Sequence, residues 1–257
     1  NFLNILKVGI YMCGFAGFID NSLHSNTKFE VQLKRMSSEI RHRGPDDNGF
    51  FLDSSSGVAL GHQRLSIIDT SSLGHQPMIS NDGQVIIVFN GEIYNYQSLR
   101  ENLAKDGCKF LGNSDTEVLL NLYLSEGKAM LSKLNGIFAF AIWDNRSKLL
   151  FVARDALGVK PLYYFLGDSI FSFSSEIKAL LEFIPKDKEL NVESIHRYLS
   201  FLWCPGQGTP LKSVHKLLPG EAIIVKDGEI KEKWAWYQLP IFRGFKGDLT
   251  KKDAIFG

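Results

Sequence analysis

The sequence predicts an α+β fold in which antiparallel sheets are layered against helices. The main observation is a series of tight hairpins in the middle of the chain, where apolar runs flank short polar turns without a succession of strand–helix–strand crossovers. A second observation is the composition, because 44% hydrophobic and 22% charged residues are ordinary for a globular chain of 257 residues. These features favour one large layered domain over a doubly wound parallel sheet.

The first part of the chain alternates strand and helix patterns. Residues 13–20 form an apolar run typical of a buried strand. An amphipathic helix is predicted next, because apolar residues recur every three or four positions. Gly44–Pro45 is expected to end it. Those apolar residues are Phe29, Leu33, Met36 and Ile40. Strand-like runs come next at 57–68 and 84–89, and the second ends at Asn90–Gly91, a dipeptide that predicts a turn.

Two further helices are predicted before the middle of the chain. Tyr96, Leu99 and Leu103 share one helix face, and Gly107 ends that helix. The tetrapeptide Ser114–Glu117 has the pattern of a capping box, which predicts the start of a third helix. The apolar face of this helix consists of Leu119, Leu120, Tyr123 and Leu124.

The rest of the chain is predicted to consist mainly of hairpins. The paired strand-like runs are 137–143 with 149–154, 162–165 with 170–173, and 222–225 with 229–236. Short helices are predicted at 176–183 and 192–202. From Pro240 onward the sequence becomes rich in Gly and Lys and is typical of a linker, and residues 249–256 could begin another helix.

Composition argues against several classes of protein. A net charge of +1 gives no reason to expect a nucleic-acid partner, and no run of about 18 apolar residues predicts a membrane-spanning helix. Cys13, Cys108 and Cys204 are odd in number and far apart, which argues against a disulfide framework. No His, Cys or Asp cluster has the spacing of a metal site, and a reducing cytoplasm fits best.

Cys13 is the first candidate for chemistry. If Met12 is the natural initiator and is removed, Cys13 becomes the first residue, and its own α-amine, with a pKa of about 7.7 to 8.0, becomes the nearest base for its thiol. One residue would then supply both nucleophile and general base. The alternative is a structural cysteine in a buried strand beside glycines, which is common.

Six motifs follow one another along the chain and change the balance between these alternatives. They are Met12–Gly17, Arg41–Asp46, Gly61–Asp69, Asn90–Asn95, Ser114–Glu117 and Arg154–Tyr164. In this order and at these spacings they resemble class II glutamine amidotransferase domains. From about residue 12 to residue 240 the chain is similar to the N-terminal part of the glutamine-hydrolysing asparagine synthetases.

The resemblance implies a fold, a reaction and a set of catalytic residues. The implied fold is a four-layer αββα sandwich of two antiparallel sheets, the N-terminal nucleophile hydrolase fold. The implied reaction is hydrolysis of glutamine to glutamate and ammonia, with Cys13 attacking the amide to form a thioester. Asn90 and Gly91 are implied to form the oxyanion hole, although the same dipeptide is also a common hairpin turn.

The resemblance also implies how glutamine would be bound. Arg64 is expected to hold its α-carboxylate, and Glu92 and Asp115 are expected to accept its α-ammonium. The pocket is expected to be lined by Leu65, Ser66, Ile67 and Ile68. Arg64 and Asp115 also have ordinary structural alternatives. Arg64 could be a surface residue of a strand, and Asp115 could be the N-cap of a helix. The residues expected to act structurally are Arg41, His42, Arg43, Asp46 and His62.

The expected domain organisation follows from the same resemblance. Residues 1–12 are interpreted as an upstream extension or initiator region, 13–239 as the glutaminase domain, and 240–257 as a linker and the start of an ATP-dependent synthetase domain. The chain begins with Asn1 and stops at Gly257, and we expect a fragment at both ends. The glutaminase domain itself is expected to need no cofactor.

The resemblance leaves the acceptor of the ammonia open. In the parent enzyme, ATP, Mg²⁺ and aspartate would be used by the synthetase domain to make asparagine, and a homodimer is possible. One alternative is an amidotransferase that acts on a sugar or another acid. Another is a non-catalytic module, because residues 1–12 would block the amine of Cys13.

Overall fold

The computed structural model describes residues 12–22, 26–66, 71–184 and 188–239, which contain twelve strands, five α-helices and the two 3-10 helices Ser72–Gly74 and Gly127–Lys133. The strands are β1 (Gly14–Asp20), β2 (Asp47–Asp53), β3 (Val58–Arg64), β4 (Met78–Ile79), β5 (Val85–Ile93), β6 (Gly136–Asp144), β7 (Leu149–Arg154), β8 (Tyr163–Gly167), β9 (Ile170–Ser174), β10 (Val214–Lys216), β11 (Glu221–Lys226) and β12 (Glu229–Ala235). The helices are α1 (Asn26–Glu39), α2 (Tyr96–Lys105), α3 (Asp115–Glu126), α4 (Ile177–Leu180) and α5 (Val192–Phe201).

The strands form two six-stranded sheets that are antiparallel throughout. The first has the order β10-β8-β9-β1-β3-β2, and the second has the order β12-β11-β7-β6-β5-β4. Apolar side chains from both sheets fill the space between them, α1 and α4 cover the outer face of the first sheet, and α2 and α3 cover that of the second. The predicted αββα sandwich is confirmed.

β1 shows why its sequence is apolar at almost every position. Phe15 and Ile19 point into the space between the sheets, whereas Ala16 and Phe18 pack against the layer that contains α1. Since successive side chains of a strand point to opposite faces, a strand covered on both faces needs apolar residues at both parities. The strand is fully buried, as the sequence predicted.

Most predicted elements are present with shifts of a few residues at their ends. The strands that the sequence did not predict are β2, β4 and β10, and each lies at an edge of its sheet. An edge strand is partly exposed, so its residues do not follow a clear apolar pattern. β2 illustrates this, because only Gly49 among its seven residues is buried.

The predicted turn at Asn90–Gly91 is wrong. β5 continues through both residues to Ile93, with Asn90 opposite Ala139 and Gly91 opposite Phe138 on β6. The ladder pairs β5 with β6 over nine residues, and a turn at this position would interrupt it. Glycine is needed here for close packing, because a Cβ on Gly91 would lie 2.2 Å from the carbonyl oxygen of Ile137.

Two other predictions concern the ends of segments. The strand predicted at 57–68 ends at Arg64, and Leu65 and Ser66 follow it without regular structure. The predicted linker after Pro240 and the helix pattern at 249–256 lie outside the described residues. No helix within the described ranges is both long and apolar enough to cross a membrane.

Candidate active site

A pocket lies where the start of β1 meets the end of β3 and the edge of β5. Because β1 and β3 are antiparallel, with Gly14 opposite Gln63, Cys13 immediately before β1 comes next to Arg64 at the end of β3. The second sheet and α3 supply the opposite wall. The lining residues are Cys13, Arg64, Leu65, Gly74, Gln76, Phe89, Gly91, Ser114, Asp115 and Thr116.

The thiol of Cys13 is held by the backbone of Leu65. Its Sγ lies 3.3 Å from the Leu65 nitrogen, which donates to it, and 3.4 Å from the Leu65 carbonyl oxygen, to which the thiol donates. Burial raises the pKa of this thiol, while the Leu65 N–H and the charges of Arg64 and Lys160 act in the opposite direction. The thiol lines the pocket, where the effect of burial exceeds that of the neighbouring donor and cations, so its pKa lies above the ordinary value.

The edge of β5 presents the N–H of Gly91 to the pocket. Two residues before it, the Phe89 N–H donates to Oε1 of Gln76 at 2.7 Å, and two residues after it, the Ile93 N–H donates to Oδ2 of Asp115 at 3.0 Å. Alternate residues of a strand direct their backbone groups to the same edge, so the Gly91 N–H lies on this edge between the other two. The backbone of Phe138, which lies opposite Gly91, forms its hydrogen bonds on the side away from β5, since its carbonyl oxygen accepts from the Asp155 N–H at 2.7 Å.

The side chain of Asn90 supplies a second donor on the face toward the first sheet. Ile86 and Val88, which share its parity on β5, point into the space between the sheets, so Asn90 points toward the sheet that carries Cys13. Asn90 is 1% exposed, and its Nδ2 has no hydrogen-bond partner among the described residues. A buried amide without an acceptor is costly in a folded protein, which indicates that a ligand atom completes it.

Two buried charges of opposite sign line the pocket. The Arg64 guanidinium donates through Nη1 to the carbonyl oxygen of Ser71 at 3.1 Å, and it is nearly buried. Asp115 is 4% exposed, and burial, with a smaller contribution from the negative charge of Glu92, raises its pKa to about 6. A cation and an anion on one pocket match a ligand that carries both charges, such as a free amino acid.

Asp115 is not the N-cap of α3, so that alternative for it is wrong. Ser114 is the N-cap, and its Oγ accepts from the Glu117 N–H at 3.2 Å, as the capping box predicts. Asp115 is the first residue of the helix, and its carboxylate reaches across to the Ile93 N–H instead. Its carboxylate therefore lines the pocket and binds the edge of β5, and it also interacts with the first backbone N–H groups of α3.

Of the other residues predicted for the pocket, only Leu65 is among the described residues that line it. Leu65 lines it, whereas the Ser66 N–H donates to Oδ2 of Asp46 at 2.9 Å and Ser66 is not among the lining residues. Glu92 is exposed and does not line the pocket, although its charge acts on Asp115. Ile67 and Ile68 lie outside the described residues.

The residues expected to act structurally surround the site. Arg43 donates through Nε to the carbonyl oxygen of Cys13 at 3.1 Å and pairs with Glu176 at 3.0 Å. His42 pairs with the same carboxylate, whereas Arg41 is exposed. His62 is fully buried, its Nε2 lies 2.9 Å from the carbonyl oxygen of Phe89, and burial lowers its pKa to about 4. A neutral His62 thus joins the two sheets.

Gln76 and Thr116 are pocket residues that the sequence did not reveal. Gln76 is buried, and its side chain accepts from the Phe89 N–H and donates to Oγ1 of Thr116 at 3.3 Å. A glutamine amide and a threonine hydroxyl carry no charge, and nothing in their local sequence distinguished them from ordinary polar residues. No cluster of three or more His, Cys, Asp or Glu suited to a metal occurs among the described residues.

Comparisons with known proteins agree with this geometry. A family model described as "Glutamine amidotransferase domain" matches residues 12–237. The chain is 42% identical over 247 residues to asparagine synthetase [glutamine-hydrolyzing] 1 of Bacillus subtilis, covering 95% of this chain and 38% of the relative. It is 35% identical over 264 residues to a putative asparagine synthetase [glutamine-hydrolyzing] 2 of Methanocaldococcus jannaschii, covering 95% of this chain and 49% of the relative.

An amidase and a solved amidotransferase structure are also similar to this chain. Amidase chry2 of Gibberella zeae is 35% identical over 252 residues, covering 95% of this chain and 37% of the relative. Glutamine phosphoribosylpyrophosphate amidotransferase from B. subtilis has a TM-score of 0.64 at 19% identity, covering 88% of this chain and 50% of that chain. This likeness supports the N-terminal nucleophile hydrolase fold. The chain spans less than half the length of these curated relatives.

Proposed function

The chain belongs to the glutamine amidotransferase domain family, and on that premise we propose that Cys13 is the nucleophile that releases ammonia from the side-chain amide of glutamine. The observation that carries this assignment is the convergence of the Cys13 thiol and the Gly91 N–H on one pocket. The N–H stands between two amides that are already bonded to side chains, and it is left to bind a ligand. A nucleophile and such a donor on one cavity suit acyl transfer.

The charges of the pocket support glutamine as the substrate. Arg64 would bind the α-carboxylate and Asp115 the α-ammonium, so that the side-chain amide extends toward Cys13. Leu65 would contribute the wall beside the thiol. Glu92 would act on the ammonium through Asp115 and through its own charge rather than by lining the pocket.

The proposed reaction proceeds in two halves. The thiol of Cys13 gives its proton to the free α-amine, the sulfur attacks the amide carbon, and the oxyanion is held by Nδ2 of Asn90 and the N–H of Gly91. The α-ammonium then returns the proton to the leaving nitrogen, which departs as ammonia and leaves a thioester. A water molecule gives a proton to the same amine and attacks the thioester, which releases glutamate and regenerates the thiol.

This mechanism requires that nothing be attached to the nitrogen of Cys13. In the chain as printed, Met12 is attached to it, and the Met12 N–H donates to the carbonyl oxygen of Arg43 at 2.9 Å. An amide nitrogen is not basic, so the form with Met12 should be nearly inactive. The active form would begin at Cys13, and residues 1–12 would be absent from it.

The fate of the ammonia is proposed from the names of the relatives. Two of them are called glutamine-hydrolysing asparagine synthetases, which favours aspartate, activated by ATP and Mg²⁺ in a downstream domain, as the acceptor in the whole protein. A sugar or another acid is the alternative. The glutaminase domain would extend over residues 13–239, would lie in the cytoplasm and would need no cofactor of its own, and the whole protein could form a homodimer.

The test compares two forms of the full-length protein, one beginning at Cys13 and one that retains Met12. Removal of Met12 is verified by mass spectrometry, and glutamate release is measured. We expect activity only with the free amine and expect Cys13→Ala to abolish it, while Cys108→Ala, a matched change away from the pocket, leaves it unchanged. Equal activity of both forms would refute the α-amine mechanism. A form that begins at Cys13 and binds glutamine without hydrolysing it would favour a non-catalytic module.

A further inference from the structure

The turn that connects β7 to β8, residues 154–161, is built around a buried carboxylate. Asp155 is fully buried, and its Oδ1 accepts from the Leu157 and Val159 N–H groups at 3.0 Å each. Its Oδ2 accepts from the Lys160 N–H at 3.0 Å and from the Phe138 N–H at 3.3 Å. One side chain therefore fixes most of the backbone of this turn and ties it to β6.

Arg154 fixes the same turn from the other side. Its guanidinium donates to three carbonyl oxygens, those of Lys160 at 2.7 Å, Gly158 at 2.6 Å and Leu217 at 2.6 Å. Lys160 is thus held through both its backbone N–H and its carbonyl group by an Asp–Arg pair. Such a rigid frame restricts where its side chain can reach.

The side chain of Lys160 extends toward the beginning of the domain. Its Nζ lies 3.4 Å from Sδ of Met12, the residue attached to the nitrogen of Cys13, and it forms no ion pair within the described ranges. A thioether sulfur is at most a weak acceptor. If Met12 is removed, this ammonium faces the newly formed amine of Cys13.

We propose that the Arg154–Asp155 turn holds Lys160 as a positioning residue whose positive charge keeps the α-amine of Cys13 unprotonated until it accepts the proton of the thiol, and stabilises the thiolate that this transfer produces. A nearby positive charge disfavours the protonated amine and favours the thiolate, so it lowers the pKa of both groups. The amine can then accept a proton near neutral pH, which the proposed hydrolysis of glutamine requires. This inference therefore rests on the proposed function.

Other charges around Cys13 do not make Lys160 redundant. Arg43 is paired with Glu176, and Arg64 is assigned to the substrate carboxylate, so both cations have a partner in the substrate complex. The anions whose charges act here are Asp115, which lines the pocket, Glu92, which does not, and Asp155 within the turn. The charge of Lys160 acts on Cys13, and that of Cys13 on Lys160, in agreement with their placement.

The test uses the full-length protein beginning at Cys13 and changes the charge of Lys160 alone. Lys160→Met removes the charge at similar length, Lys160→Arg keeps it, and Lys34→Met removes an exposed charge from α1 as the control. We expect Lys160→Met to raise the pKa of the acidic limb of the kcat/KM profile by about half a unit to one unit. Lys160→Arg and Lys34→Met should leave the limb in place.

A second measurement does not require turnover. The rate at which iodoacetamide alkylates Cys13 is followed against pH and located by peptide mass spectrometry. Lys160→Met should shift this profile to higher pH as well, with about three- to tenfold slower alkylation below the pKa. Lys160→Gln repeats the test if Lys160→Met does not fold.

Each outcome decides a separate question. If the neutral variants lower the rate equally at every pH and leave both profiles unshifted, Lys160 is only structural and the inference is wrong. If the unmodified enzyme releases no glutamate, the proposed function fails, whereas the alkylation profiles still support or refute the effect of Lys160 on Cys13.

Discussion

Asn90–Gly91 and Asp227–Gly228 are similar dipeptides in two different regions of the second sheet. Asp227–Gly228 forms the tight turn between β11 and β12, with φ angles of +55° and +77°. Asn90–Gly91 lies inside β5 and is paired residue by residue with β6. Both regions need glycine, but only the hairpin needs its left-handed conformation.

The difference shows what the pocket gains from an extended Asn90–Gly91. A turn uses its backbone groups to close on itself, whereas the strand edge directs alternate N–H groups outward. At this edge Gln76 and Asp115 occupy the amides of Phe89 and Ile93 and leave the one of Gly91 between them. The same local signal therefore closes a hairpin in one region and exposes a donor in the other.

The largest difference between the two regions is expected when Gly91 and Gly228 are each replaced by alanine. In Gly91→Ala the Cβ would lie 2.2 Å from the Ile137 oxygen, so β5 must move away from β6 and take the amide with it. We expect kcat of glutamine hydrolysis to fall by about 10³ or more, together with a loss of stability. Gly228→Ala, where a Cβ would lie 2.2 Å from the Ser169 oxygen, should lower stability alone.

Steady-state kinetics and urea denaturation of the two variants distinguish these outcomes. A Gly91→Ala protein with ordinary kcat would show that the edge of β5 does not stabilise the transition state. A Gly228→Ala protein with a reduced kcat, after correction for the folded fraction, would show that the hairpin also contributes to the reaction.

The second effect concerns the side chain that precedes each glycine. Asn90→Ala removes the buried amide without an acceptor, and we expect kcat to fall by about 10²–10³ with little change in KM, since the donor acts on the developing oxyanion. Asp227→Ala changes a residue with positive φ, which alanine tolerates poorly, and should cost about 1 kcal/mol of stability with kcat unchanged. If Asn90→Ala and Asp227→Ala lowered kcat by similar factors, the proposed difference between the strand edge and the hairpin would be wrong.

The two dipeptides also show how far the sequence could predict the structure. Local turn chemistry predicted Asp227–Gly228 correctly, because the flanking strands are neighbours in the chain. The same reasoning failed at Asn90–Gly91, where the partner strand β6 begins some 45 residues later, and non-local pairing decided the conformation. The resemblance of motifs still selected Asn90 and Gly91 as candidates, because it rests on the order and spacing of motifs rather than on local conformation.

The pocket was predictable to the extent that its chemistry is visible in single residues. Cys13, Arg64 and Asp115 carry reactive or charged groups, and the structure brings them to one cavity. Gln76 was not predicted, because its role is to occupy the amide of Phe89 and depends on the fold alone. The spacing of apolar residues likewise did not predict the edge strands β2, β4 and β10. β2 shows the reason, because most of its residues are at least partly exposed and do not follow a clear apolar pattern.

The smallest effect, and the most selective, is expected for the acidic side chain in each region, tested by Asp115→Asn and Asp227→Asn. Burial raises the pKa of Asp115 to about 6, so the folded protein binds this proton more tightly than the unfolded chain. Stability is therefore lost as pH rises from the ordinary carboxyl pKa of 3.8 to about 6. Asp115→Asn should remove this penalty and stabilise the protein by on the order of 2 kcal/mol at pH 8, with little change at pH 3.

The same substitution should weaken the binding of glutamine. Without the carboxylate the α-ammonium loses a charged acceptor, and KM should rise by about 10- to 100-fold while kcat changes little. In the unmodified enzyme KM should rise as pH falls through about 6, because protonated Asp115 no longer carries the charge. Asp227→Asn should change neither property, since Asn tolerates positive φ as Asp does. If Asp115→Asn is more stable but has an ordinary KM, burial of this carboxylate destabilises the protein without contributing to the binding of glutamine. Glu92 would then be the remaining candidate for binding the α-ammonium.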